Sequence, residues 1–223
     1  MNRNQKLLLL STGLVIVSWV VPILSLLTLP LQYLYTHLHE IGHAIVAAGT
    51  GGHDIEIKVF ANGSGVTTSL GGSQLLISPA GYVGATLMGA VVLFLARTEQ
   101  GARAALYGIA ITLGLALAMW IRGDAVGLIS AVVAIALLAL AARYIKGDAL
   151  LATAQFFGMY QCLASLQAAF SIIGISSVAL QENDAVILQH ATGIPALLSS
   201  LAWAALSVAA VAVTVRSNWK TPS

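Results

Sequence analysis

His39, Glu40 and His43 stand in the order H-E-x-x-H. On an α-helix, residues four apart share a face, so two imidazoles at this spacing can converge on one metal ion. Glu40 falls about 100° round the helix from His39. Its carboxylate then lies beside the position that a catalytic metal keeps open, where it can take a proton from a water. The chemistry this trio can perform is metal-assisted hydrolysis.

The surroundings narrow the setting. Leu31 to Tyr35 and Ile45 to Ala48, on either side of the motif, are largely apolar. An ionisable side chain at the centre of a membrane helix costs roughly 2.5–3.5 kcal/mol on insertion scales, so a group of them there needs a functional or pairing reason. The whole chain has the same character. Its 223 residues are 58% hydrophobic and only 8% charged, against about 25% charged in soluble domains. A formal charge of +2 is too small for a nucleic-acid partner. The single cysteine, Cys162, can form no internal disulfide and reads as a packing residue.

The elements that must position the motif follow from the apolar runs. Spans are predicted at about 7–29, 31–49, 73–96, 104–121, 125–142, 149–175 and 194–215. The fold class is therefore an all-α polytopic membrane protein of about six to seven transmembrane helices, in one domain over 1–223. Pro22 should bend the first span, and Pro30 should open the second, which carries the motif. Residues 53–70 break the pattern. Asp54, Glu56 and Lys58 alternate with Ile55, Ile57 and Val59, and Asn62-Gly63 is turn chemistry. A short β-hairpin inserted between the second and third spans is expected. Gly81, Gly84 and Gly89 in the third span should let it approach the motif helix closely. Tyr82, among them, reads as packing, with a hydrogen bond into the site as the alternative. Arg3 and Lys6 favour a cytoplasmic amino terminus, while the basic residues of the later loops count against it.

A catalytic zinc takes three protein ligands and a water, so one ligand is missing from the motif. His37 is two residues from His39 and points about 200° away, as a polar packing residue. His53, Asp54 and Glu56 fall on or beside the hairpin, and Asp124 and Asp148 fall in loops. Glu182, Asp184 and His190 remain, all in the polar stretch before the last span. Asp184 is preferred, because Val186, Ile187 and Leu188 follow it as the edge of a buried segment would. His190 could instead orient a ligand.

His39-Glu40-Ile41-Gly42-His43 in an apolar helix, then a hairpin, Gly81-Tyr82-Val83-Gly84, and a distant acid between Asn183 and Pro195 resemble the site-2 protease family. The likeness is to its small members without a PDZ domain. The resemblance implies an intramembrane zinc metalloprotease, with His39, His43 and an Asp as ligands of one Zn2+ and Glu40 as catalytic base. It also implies an active site nearer the cytoplasmic face. The family pattern has a Gly after the Asp and often a Pro before it; Ala185 and Asn183 stand there instead. The expected partners are a transmembrane protein substrate and the lipid bilayer, which for a bacterial chain is the cell membrane. Two rivals come from other classes: a membrane metal transporter or sensor, and a protease-like scaffold without activity.

Overall fold

The computed structural model describes residues 1, 3–176 and 183–220. It is mostly helical, with nine helices and one two-stranded sheet among the described residues. The chain runs α1 (Arg3–Val20), α2 (Pro22–Leu27), α3 (Leu29–Gly49), β1 (His53–Val59), β2 (Gly65–Leu70), α4 (Gln74–Leu95), α5 (Glu99–Met119), α6 (Ala125–Tyr144), α7 (Gly147–Ser176), α8 (Asp184–Thr192) and α9 (Ala196–Lys220). Five of these, α4, α5, α6, α7 and α9, are long and apolar enough to cross a membrane. The other two long helices, α1 and α3, carry more polar residues: α1 opens on Arg3-Asn4-Gln5-Lys6, and α3 holds the histidines and Glu40.

Local signals set the boundaries. The single first span expected over 7–29 is divided: α1 ends at Val20 and α2 begins at Pro22, because proline disrupts the hydrogen bonding of the turn before it. Pro30 sits in the first turn of α3, where its missing N–H has no partner to lose. Thr98 caps α5 by accepting from the Gly101 N–H at 3.0 Å, and the Asp124 carboxylate caps α6 by accepting from the Gly127 N–H. A helix not expected from the sequence, α8, occupies part of the polar stretch before the last span. Asn183 caps its start, accepting from the N–H groups of Ala185 and Val186 at 3.0 and 3.2 Å. Gly193, with φ +78°, closes its end in the left-handed region.

The motif helix α3 is the hub. It packs mainly on α4, and also against the sheet and against α5, α6 and α7. Every residue from Thr36 to Ala44 is buried. The contact with α4 is close because both helices present small residues there. A Cβ on Gly42 would collide with the Ala80 carbonyl oxygen, and one on Gly84 would lie 3.7 Å from the Gly42 Cα. The expected tight packing of the glycine-bearing helix on the motif helix is thus present. Cys162 is buried, as expected of a packing residue.

The antiparallel pair β1–β2 lies between α3 and α4 in the chain, joined by a turn at 60–64 in which Gly63 has φ +83°. Ile57 and Val59 point into the core, while Gly65, Thr67 and Ser69 are half-buried on alternate positions of β2. Tyr33 donates its hydroxyl to the Ala61 carbonyl at 2.8 Å, and Thr36 donates to the Gly63 carbonyl at 2.7 Å. These bonds fasten the turn to α3.

Gly42→Leu should destabilise the fold by about 1–3 kcal/mol through overpacking. Gly108→Leu, at a glycine with open space around it, should leave stability unchanged. Thermal unfolding of the two variants in detergent checks the pair.

Candidate metal centre and cleft

His39 and His43 lie one turn apart on α3, and their Nε2 atoms are 3.1 Å from each other. Asp184, the first residue of α8, brings its Oδ2 to 3.5 Å from His39 Nε2 and 3.4 Å from His43 Nε2. These three residues form a group that could hold a metal ion. Zinc bonds of about 2.0–2.1 Å in tetrahedral geometry require ligand atoms about 3.3–3.4 Å apart. The triangle here has nearly those edges, and two imidazoles with a carboxylate are a zinc donor set.

The orientation of His43 is fixed from outside the triangle. Its Nδ1 lies 2.7 Å from the Ile77 carbonyl oxygen. A carbonyl only accepts, so Nδ1 carries the proton and Nε2 presents a lone pair to the centre. The ring of His39 meets that of Tyr82 edge-on at 4.4 Å, and Tyr82 stacks on Trp203 at 5.7 Å. Asp184 reaches the histidines because Asn183 supplies the helix cap and leaves the neighbouring carboxylate free. Ala185 and Leu188 anchor α8 in a cluster with Tyr82, Ala169 and Trp203.

Gly81 on α4 faces the two rings. A Cβ there would lie within about 2.5 Å of ring atoms of both His39 and His43, in the space between their Nε2 atoms. Gly65 on β2 faces Glu40 in the same way: a Cβ would meet Glu40 Oε1 at 2.6 Å and Thr36 Cγ2 at 2.7 Å. Glu40 Oε2 accepts a hydrogen bond from the Thr67 hydroxyl at 2.7 Å. The centre opens into a cleft of about 620 Å³, whose lining includes Tyr35, Thr36, Glu40, Gln74, Tyr82 and β2 from Gly65 to Ser69.

The two edges of the sheet differ. On β1, the Ile57 N–H donates to the Trp120 carbonyl at 2.8 Å, and the Ile57 carbonyl accepts from Arg122 at 3.2 Å. The Val59 N–H donates to Asp124 at 3.2 Å. Ile57 and Val59 therefore turn their main chains away from β2. Antiparallel pairs alternate between bonded and non-bonded residues, so their partners Thr67 and Gly65 turn theirs away from β1, along the edge of the cleft. No hydrogen bond from either amide is present among the described residues.

The remaining sequence candidates lie elsewhere. His37 points to α6, with Nε2 2.8 Å from the Ser130 hydroxyl, as a polar packing residue. Glu56 pairs with Lys58 at 3.5 Å, and Asp148 pairs with Arg3. His53 and Asp54 are exposed, and so is His190, near the far end of α8. Glu182 lies outside the described residues. Tyr82 packs and also lines the cleft. Sequence reasoning missed Thr67 and Gly65. Their signal was faint: a small, polar strand in an apolar chain.

A model of the Peptidase M50B-like family matches residues 8–214. The chain belongs to this family. The site-2 protease resemblance thus holds over almost the whole chain, motif helix and Asp184 included. No match was found among curated proteins or among solved structures. Together with the five apolar helices, membership of the Peptidase M50B-like family marks a multi-pass integral membrane protein.

Two outcomes follow from this geometry. Gly81→Ala should fold but take up no zinc, because its methyl group fills the space between the imidazoles; metal analysis with circular dichroism checks it. In the free protein, the amides of Gly65 and Thr67 should exchange faster than those of Val66 and Thr68, which face β1. Residue-resolved hydrogen exchange measures this.

Proposed function

We propose that this protein is an intramembrane zinc metallopeptidase that cuts membrane-protein substrates in or near their transmembrane segments. One zinc ion is held by His39, His43 and Asp184, and Glu40 is the catalytic base. The observation that carries the reading is the triangle of two imidazole nitrogens and one carboxylate oxygen, with edges of 3.1, 3.4 and 3.5 Å, beside a buried glutamate. In this reading α1 and α3 also cross the bilayer, giving seven spans in a single domain, and the hairpin is an insertion between the second and third. For a bacterial chain the membrane is the cell membrane.

Zinc seated at the triangle supplies Lewis acidity, polarising the scissile carbonyl and lowering the pKa of a water toward about 7. The chain's own groups do the rest. Glu40 takes the water's proton and later delivers it to the departing amine nitrogen. The Thr36, Thr67, Thr68 and Ser69 hydroxyls give the cleft a polar wall along which water can reach Glu40 inside an apolar bundle. A helical substrate hides its carbonyls in its own hydrogen bonds, so it must unwind before attack. The outward-facing main chain of Gly65 and Thr67 offers the unwound segment a strand to pair with, the β-augmentation mode of peptide recognition.

Glu40→Gln should keep stoichiometric zinc and lose at least about 100-fold in cleavage rate. His43→Ala and Asp184→Ala should lose both zinc and cleavage. Metal analysis beside cleavage of a reconstituted membrane-protein substrate reads both. A transporter would show metal flux and no cleavage in any form, and an inactive scaffold would be indifferent to Glu40→Gln.

A further inference from the structure

We propose that Thr67 is a positioning residue: its main chain receives the extended substrate segment while its hydroxyl fixes Glu40, so that strand docking and base orientation meet in one residue. The inference rests on the peptidase reading above and adds a role that the zinc-binding motif does not contain.

Two independent observations converge on Thr67. The first is the register of the sheet. Ile57, its partner on β1, spends both main-chain groups on Trp120 and Arg122. Thr67 therefore turns its own N–H and carbonyl to the cleft, where a guest strand would lie about 4.8 Å away. The second is the side chain. Successive side chains on a strand alternate in direction, and that of Thr67 points down onto α3. Its hydroxyl lies 2.7 Å from Glu40 Oε2 and 3.0 Å from the Glu40 carbonyl oxygen. Among the described residues it is the one hydrogen-bond donor to the Glu40 carboxylate. With Oε2 held by Thr67, Oε1 is left as the oxygen to take the proton, and it lies against the bare Cα of Gly65. A carboxylate otherwise free to rotate is thereby kept in one orientation, and a guest strand hydrogen-bonded at Thr67 would steady the same residue from its other side.

The hydroxyl is not needed to keep the hairpin in place. The turn is tied to α3 through Tyr33–Ala61 and Thr36–Gly63. The other edge is tied through Ile57 and through Val59–Asp124. Removing the Thr67 hydroxyl alone should leave both sets of bonds intact and change only the freedom of Glu40.

The test compares wild type, Thr67→Val, Thr67→Ser and Glu40→Gln as full-length, zinc-loaded protein in detergent, with β-casein as an unstructured substrate. Thr67→Val should lose about tenfold or more in kcat, with KM within about twofold and zinc content unchanged. Thr67→Ser, which keeps the hydroxyl, should recover to within about threefold of wild type. Infrared difference spectra, with Glu40→Gln to assign the band, should show the Glu40 carboxylate stretch displaced in Thr67→Val and restored in Thr67→Ser. Wild-type kcat in Thr67→Val, zinc lost in step with activity, or a serine variant no better than valine would each overturn the proposal. So would an unchanged carboxylate band, and that readout stands even if no form cleaves casein. Absence of zinc from wild type would instead sink the peptidase reading itself.

Discussion

Three electron-rich atoms, two imidazole nitrogens and a carboxylate oxygen, are held 3.1–3.5 Å apart inside the bundle. Imidazole lone pairs and a carboxylate at such distances repel unless positive charge lies among them, and a low-dielectric interior strengthens both the repulsion and its relief. Much of the fold serves to stop this arrangement from relaxing. One turn of α3 fixes the spacing of the histidines. The Ile77 carbonyl on α4 pins the ring of His43. Asn183 takes over the capping of α8, so Asp184 need not cap it. Ala185 and Leu188 then seat that short helix against Tyr82 and Trp203. Gly81 keeps the space between the rings clear of side-chain atoms.

The site was legible in the sequence to the extent that it is local. His39, Glu40 and His43 announce themselves because helical geometry converts a four-residue interval into a shared face. Asp184 was reachable by elimination, since a charge-poor chain offers few acids, although nothing in its neighbourhood states a distance to His39. The role of Asn183 was hidden behind a family pattern that places other residues there; once α8 is seen, an Asn cap at its start and a left-handed Gly at its end explain it. Gly65, Gly81 and Thr67 act by proximity between elements distant in the chain. Their identities say only that they are small, and smallness has many causes. The hairpin was readable from alternation and Asn62-Gly63, whereas the inequality of its edges depends on Trp120 and Arg122, about sixty residues away.

That inequality bears on how the proposed hydrolytic site would work inside an apolar bundle. An unpaired strand edge is a hazard on a protein surface, because it invites pairing with any extended chain. Here the outward edge of β1 is covered by the α5–α6 connection and by Asp124. The edge left open is the one that borders the cleft and Glu40. Its main-chain groups find no partner within the described fold, and lipid could not supply one. They must face water or another chain, so in the proposed reading the segment that carries Gly65 and Thr67 would keep the empty cleft wet and would receive an unwound backbone. Such a backbone would be fixed beside the Glu40 carboxylate, which the open strand holds through the Thr67 hydroxyl. Burial of the histidine-bearing face, hydration of the cleft and the proposed preference for extended chains thus trace to one arrangement: a small polar sheet inserted against the helix that carries the histidines and Glu40.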